Sequence, residues 1–147
     1  MTEGPSAVLF ACSLNAVRSP MAEGFLKHYH GHRIYVDSVG VEIGDPDGFV
    51  VEVMRERGID MSRHRPKSFN DLVDLSFDLI VTLSPEAHHL ALGLTSRVSC
   101  EVEYWATEHP GGIEGTRDVQ IEAYRRVRDA IHDRIHRRFP VAKPPGG

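Results

Sequence analysis

Ala7-Val8-Leu9-Phe10-Ala11-Cys12-Ser13-Leu14-Asn15-Ala16-Val17-Arg18-Ser19-Pro20 is the stretch whose reading decides the fold. Residues 7–11 form a continuous apolar run, as a strand covered on both faces requires. From 20 to 29, Met21, Ala22, Phe25, Leu26 and Tyr29 recur at helical spacing. Ser19 before Pro20 reads as an N-cap followed by proline at the first helical position. Cys12 is thus expected where a buried strand ends, and Arg18, six residues on, where a helix begins. A turn of this kind can aim several backbone N–H groups at one point, and the helix N-terminus adds its own. A thiolate at the base of such a cradle is a nucleophile. Arg18 offers a planar fork that matches two oxygens of a tetrahedral oxyanion, and Ser19 can give the sulfur a hydroxyl hydrogen bond. The bare spacing says little in an arginine-rich chain, where a buried structural cysteine beside a solvent-facing arginine is the alternative. The strand before and the helix after give it meaning.

Outward from that stretch, strands and helices alternate. Residues 34–38 read as a second strand and 39–47 as a loop punctuated by Gly and Pro. A helix over 48–57, with Phe49, Val50, Val53 and Met54 at helical spacing, is stopped by Gly58. Residues 62–68 are basic and extended. Arg63, Arg65 and Lys67 read as solvated charge, with guidance of an anionic substrate as the other option. A short helix is expected at 70–75 and an apolar strand at 77–83. Ser84-Pro85 opens a helix to Leu94, followed by a strand at 97–104 and a loop at 106–115. Thr116 caps a long last helix with Ala123, Tyr124, Val127, Ala130, Ile131 and Ile135 as its buried stripe. His28, His30 and His32 point in divergent directions and read as a solvated cluster rather than a metal site. The alternation predicts an α/β fold of βαβ units with a parallel sheet and right-handed crossovers. Ligands then bind beyond the carboxyl ends of the strands, which Cys12, Ser84 and the 106–115 loop all follow.

The chain has 147 residues and a formal net charge of −4. That length predicts one domain, residues 1–140, with residues 1–6 frayed and 141–147 a disordered tail. The charge gives no reason to expect nucleic acid or a membrane surface as partner. No apolar run is long enough to span a bilayer, and Met1 to Ser6 lack the layout of a signal peptide. Two cysteines make no disulfide framework, and a working thiolate suits a cytoplasmic location.

On Val8-Leu9-Phe10-Ala11-Cys12, Asn15, Arg18-Ser19-Pro20-Met21-Ala22-Glu23, Asp37-Ser38, Val53-Met54, Gly58-Ile59-Asp60, Phe77-Asp78-Leu79-Ile80-Val81-Thr82 and Arg125-Arg126-Val127-Arg128-Asp129, the chain resembles the low-molecular-weight protein tyrosine phosphatase family, which includes the thioredoxin-coupled arsenate reductases. The resemblance implies a three-layer fold with four parallel strands in the order 2-1-3-4 and helices on both faces. It implies a hydrolase acting on a phosphorylated protein or small phosphomonoester through a cysteinyl-phosphate intermediate. Cys12 would be the nucleophile and Arg18 the transition-state clamp. The N–H groups of Ser13, Leu14, Asn15, Ala16, Val17 and Arg18 would cradle the phosphate, Ser19 would stabilise the thiolate, and Asn15 would brace the loop. Inorganic phosphate or a similar oxyanion would bind there, and no metal or cofactor is called for.

Three departures bear on the chemistry. The family places an Asp directly before a Pro in the loop after the last strand, as proton donor. Here the segment is Trp105-Ala106-Thr107-Glu108-His109-Pro110, so His109 is the provisional acid and Glu108 lies one residue off. Loss of efficient turnover, leaving a phosphate- or phosphoprotein-binding module, is the remaining option. Gly111-Gly112 stand where the phosphatases carry aromatics that flank a phenol ring. Trp105 precedes the loop as in the reductase branch, but the resolving cysteines of that branch would lie near Ser84 and Ala91, and neither is Cys. Cys100, on the expected fourth strand, reads as a small buried hydrophobe. Three-cysteine arsenate reduction is thereby disfavoured, while reduction with an external thiol stays open. Of His88 and His89, adjacent on a helix, at most one can face the cleft.

Overall fold

The computed structural model describes residues 4–73 and 75–141. The expected disorder of the tail, and the fraying of residues 1–3, concern positions outside these, apart from Val141, which is exposed. Four strands, β1 (Ala7–Cys12), β2 (Tyr35–Gly40), β3 (Leu79–Thr82) and β4 (Glu101–Tyr104), alternate with four helices, α1 (Arg18–His30), α2 (Gly48–Arg55), α3 (Pro85–Leu94) and α4 (Arg117–Arg138). The sheet order is β2-β1-β3-β4 and every pairing is parallel.

β1 runs through the centre of the sheet because its side chains are apolar on both faces. Val8, Phe10 and Cys12 meet α1, α2 and α4, through Met21, Phe25, Val53, Met54, Ile131 and Ile135 among others. Leu9 and Ala11 meet α3 through Ala87 and Ala91. Phe25 is 1% exposed at the centre of the larger layer. Truncating it to Ala would cost about 3–5 kcal/mol. α2 ends where Gly58 takes φ 76°, with Gly58 N–H bonded to Arg55 O and Ile59 N–H to Met54 O, the paired bonds that close a helix on a left-handed glycine. Ser84 and Thr116 cap α3 and α4 by accepting from the Ala87 and Val119 amides.

Several expectations shift. β4 begins at Glu101, not 97, because residues 95–99 turn before pairing starts. Of the expected 70–75 helix, the described residues show helix at Asn70 and Asp71 alone, within one 3₁₀ turn over Phe69–Asp71. Ala130 is exposed and Ile121 takes its place in the buried stripe of α4. α1 starts one residue before Ser19, with Val17 at the N-cap and no side-chain cap. The Ser19 hydroxyl is instead turned inward to Cys12, and Pro20 still occupies the first turn, where its missing N–H costs nothing. His30 is buried, bonded to Phe139 O and to Arg33, so it is not part of a solvated cluster. Ser6 is not frayed. Its amide and hydroxyl, and the Ala7 amide, all donate to one Asp78 oxygen at 2.8–2.9 Å. Among the described residues no helix is long and apolar enough to cross a membrane.

Candidate active site

The carboxyl end of β1 feeds the Ser13–Val17 turn, and the geometry of that turn follows from its carbonyls. The carbonyls of Cys12, Ser13 and Leu14 accept from the amides of Val41, Glu42 and Gly44. A planar peptide points its N–H away from its C=O, so the following amides face the opposite side. Within the described residues no acceptor takes the N–H groups of residues 13–17. Buried backbone donors rarely stay unpaired, and an array of them on one concave turn is an anion receptor. β2 approaches this closely because residue 40 is glycine: a Cβ there would lie 2.7 Å from Asn15 N and from Leu14 C.

Asn15 holds the turn in shape. It is fully buried with φ 54°, a left-handed conformation that Asn tolerates better than most residues. Its side-chain amide donates to Ser19 Oγ and Ser38 Oγ, and its Oδ1 accepts from the Lys67 amide, each at 2.9 Å. The Asn15 carbonyl accepts from His64 Nε2 at 2.9 Å, which fixes the proton on that nitrogen. The Ser38 hydroxyl donates to Glu23, a nearly buried carboxylate that also pairs with Lys27 and faces His64 Nδ1 at 3.9 Å. Such a carboxylate is tolerable only with its lone pairs satisfied. The roles of Ser38, Glu23 and His64 in this brace were not read from the sequence. The available signals were an acid in the middle of an apolar helix face and a serine at the end of a buried strand.

Cys12 Sγ lies at the floor of the cradle, 2.9 Å from Ser19 Oγ. Above it is a cavity of about 320 Å³ lined by the turn together with Arg18, Pro85, Glu86 and His109. Arg18 Nη1 donates to the carbonyls of Thr107 and Leu83, and its Nη2 reaches Ser13 Oγ. Arg18 Nε is buried without a partner, a donor that an oxyanion at Cys12 would satisfy. Ser13 Oγ also donates towards Ser84 Oγ and Glu86, tying the turn to the start of α3.

His109 lines this cavity, whereas Glu108 faces a different pocket beside Trp105 and α4. His109 is exposed at the cavity rim, and partial desolvation there, then the positive charge of Arg18, holds its imidazole below the ordinary 6.5, with Asp47 opposing. The His109 ring packs on Gly111, where a Cβ would come within 2.7 Å of Nε2. His88 is engaged elsewhere, bonded to Thr82 Oγ1 and stacked on Tyr104, and His89 is exposed. Neither lines the cavity. Lys67 pairs with Asp37, so of the basic run only Arg63 and Arg65 lack a carboxylate partner among the described residues.

Cys100 precedes β4, at the opposite end of the sheet from Cys12, and is half-buried rather than buried. Burial, then the nearby Asp78 charge, raises its thiol. It is not placed to resolve an adduct on Cys12. Among the described residues no group of three His, Cys, Asp or Glu side chains is placed to hold a metal ion.

Fold and site together define an α/β protein with a buried cysteine at the floor of a donor-lined turn, at the carboxyl edge of a parallel sheet. Residues 7–140 match the family model described as low molecular weight phosphotyrosine protein phosphatase, and the chain belongs to that family. An arsenate reductase of Bacillus licheniformis is 33% identical over 88% of this chain and 92% of its own. The structure of an arsenate reductase in the phosphate binding state superposes with a TM-score of 0.75 at 27% identity, covering 89% of this chain and 94% of that one. The low molecular weight protein tyrosine phosphatase from T. tengcongensis superposes at 0.70 with 26% identity, covering 86% and 92%.

Proposed function

We propose that this protein is a phosphomonoesterase that works through a cysteinyl-phosphate on Cys12. The carrying observation is the convergence of unpaired donors, the residue 13–17 amides and Arg18 Nε, above a sulfur already hydrogen-bonded to Ser19. In the first step the Cys12 thiolate attacks phosphorus, the S–P bond forms and the ester P–O bond breaks. The leaving oxygen takes a proton from imidazolium at His109. Neutral His109 then takes a proton from water, which attacks phosphorus, releasing phosphate and regenerating the thiolate. Arg18 and the amides stabilise the charge spread over the equatorial oxygens in both steps.

A second reading is favoured by the similarity to arsenate reductases. The same cradle admits arsenate, which Cys12 would attack with loss of hydroxide. Two equivalents of an external thiol would then supply both electrons, the first releasing arsenite as a mixed disulfide on Cys12 and the second freeing Cys12. With Ser84 and Ala91 in place of further cysteines, the chain itself offers no thiol beside Cys12 for that step.

Steady-state assays on one preparation separate the two. A phosphomonoesterase releases phosphate from p-nitrophenyl phosphate without any thiol consumed. Thiol consumption that depends on arsenate, with negligible ester hydrolysis, would replace the first reading by the second. Binding of phosphate with neither activity would leave an oxyanion-binding module.

A further inference from the structure

Helix α4 carries seven arginines, and their partners sort them. Arg117 pairs with Glu52, Arg125 and Arg128 with Glu56, and Arg138 with Glu103. Among the described residues, Arg126, Arg134 and Arg137 have no carboxylate partner. These three line one pocket of about 420 Å³, together with Trp105, Thr107 and Glu108. The Arg134 guanidinium lies over the Trp105 ring, 5.2 Å from its centre. Two acids also border the pocket: Glu108 is exposed at its rim, and Asp133 is directed at His132 Nδ1, 3.8 Å away. Three arginines therefore line one pocket without a carboxylate ion pair among the described residues, on a protein whose net charge is −4.

We propose that this pocket binds acidic side chains of a protein substrate, on the same polypeptide as the phosphorylated residue held at Cys12. The substrate part rests on the phosphatase reading above. The guanidinium fork matches carboxylates in a bidentate manner, and the charge complementarity selects that occupant. The loop after β4 links the two sites. Thr107 and Glu108 face the arginines, His109 faces Cys12, and the Thr107 carbonyl accepts from Arg18 at 3.0 Å. Neighbouring loop positions thus belong to the two sites, and the acidic residues meant are those within a few positions of the phosphorylated one.

Trp105 is the only tryptophan of the chain, so its emission reports the pocket without depending on catalysis. The full chain is titrated with a Glu-rich unphosphorylated peptide and with a matched Gln-rich peptide. The expected result is a saturable emission change with the acidic peptide alone, weakened at least tenfold by 0.5 M salt. The change should also be lost in the Arg126→Gln, Arg134→Gln, Arg137→Gln triple variant, whose fold is checked by circular dichroism. An equal change with the neutral peptide, no change with either, or a change that persists in the triple variant overturns the proposal. A second arm compares kcat/KM for a phosphotyrosyl peptide with Glu or Gln flanks. About three- to tenfold in favour of Glu supports the substrate assignment, as expected for a few exposed ion pairs. Equal values overturn it when p-nitrophenyl phosphate is turned over. Failure of p-nitrophenyl phosphate turnover, with the emission result intact, overturns the phosphatase reading and leaves the acidic site standing.

Discussion

Cys12 Sγ and Ser19 Oγ lie 2.9 Å apart in the buried floor of the cradle. Ser19 also accepts from the Asn15 amide, so its own proton is free for the sulfur, with Val39 O the competing acceptor at a longer 3.3 Å. A hydrogen bond to a charged sulfur is worth about 1.5–3 kcal/mol. Ser19→Ala is therefore expected to lower p-nitrophenyl phosphate turnover about ten- to hundredfold and to slow alkylation of Cys12 by iodoacetamide at neutral pH. Alkylation at the parental rate would show that this contact does not serve the thiolate.

Asn15 couples catalysis to stability. Asn15→Ala removes the bonds to Ser19, Ser38 and the Lys67 amide and leaves a non-Asn residue at φ 54°. The expected cost is about 3 kcal/mol or more, read from urea denaturation. Asn15→Gly relieves the backbone strain while losing the same bonds, so it should recover only about 1–2 kcal/mol of that. Added phosphate is expected to raise the melting temperature of the parent and of neither variant.

On the proposed mechanism, His109 gives turnover a pH dependence whose sign follows from its surroundings. Partial desolvation and Arg18 hold it below 6.5 in the free protein, so the imidazolium needed as acid is lost as pH rises through that lowered value. For an ester with a poor leaving group, kcat/KM should fall on the alkaline side of that point. A bound phosphate dianion offsets Arg18, so the corresponding limb of kcat should lie at higher pH. His109→Ala should abolish the limb and reduce kcat about 10²–10⁴-fold for the poor leaving group, and less for p-nitrophenol. A limb unchanged in His109→Ala would belong to the substrate instead.

Gly111 tests the placement of that ring without touching it. A Cβ at 111 would sit 2.7 Å from His109 Nε2. Gly111→Ala should displace the imidazole and lower kcat for the poor leaving group at least tenfold. Urea midpoints should match the parent, because residue 111 is only partly buried and needs no left-handed backbone.

Folding stability should fall between pH 7 and 5 through His132. Its Nε2 faces Tyr29 OH, Arg57 Nη2 and His136 Nε2 at 3.0–3.1 Å. Arg57 can only donate, so that nitrogen must be unprotonated. Burial, then Arg57 and His136, hold its pKa below 6.5. The unfolded chain therefore binds the proton first, and stability present above 6.5 is lost as pH falls towards the lowered value. Glu56, held at about 2 chiefly by its hydrogen bond to Arg125, keeps its charge throughout that window and does not contribute. Urea midpoints at pH 7.5 and 5.5 should diverge in the parent and converge in His132→Gln.

How much was legible in the sequence follows from how local each signal is. The apolar runs of β1 and β3, the Ser84 and Thr116 caps and the Gly58 stop are all local, and each is found where expected, β3 as Leu79–Thr82 within the expected 77–83. Arg97 to Cys100 failed as strand because pairing with β3, not propensity, decides where β4 starts. Ser19 misled for a related reason: as an N-cap it would satisfy the helix, but the deeper demand is the sulfur it faces. The brace through Ser38, Glu23 and His64 joins residues 15–49 positions apart, and no spacing rule brings those together. The direction of Glu108 and His109 was open because adjacent loop residues can face either way until Pro110 is buried and fixes the turn.

The covalent role of Cys12 is tested most directly by acid-quenching the protein during turnover of p-nitrophenyl phosphate and mapping it by mass spectrometry. The expected result is one phosphoryl group on the peptide carrying Cys12, absent in Cys12→Ser, which should also show no turnover. Full turnover in Cys12→Ser, or a phosphoryl group found on another residue of the parent, would contradict it.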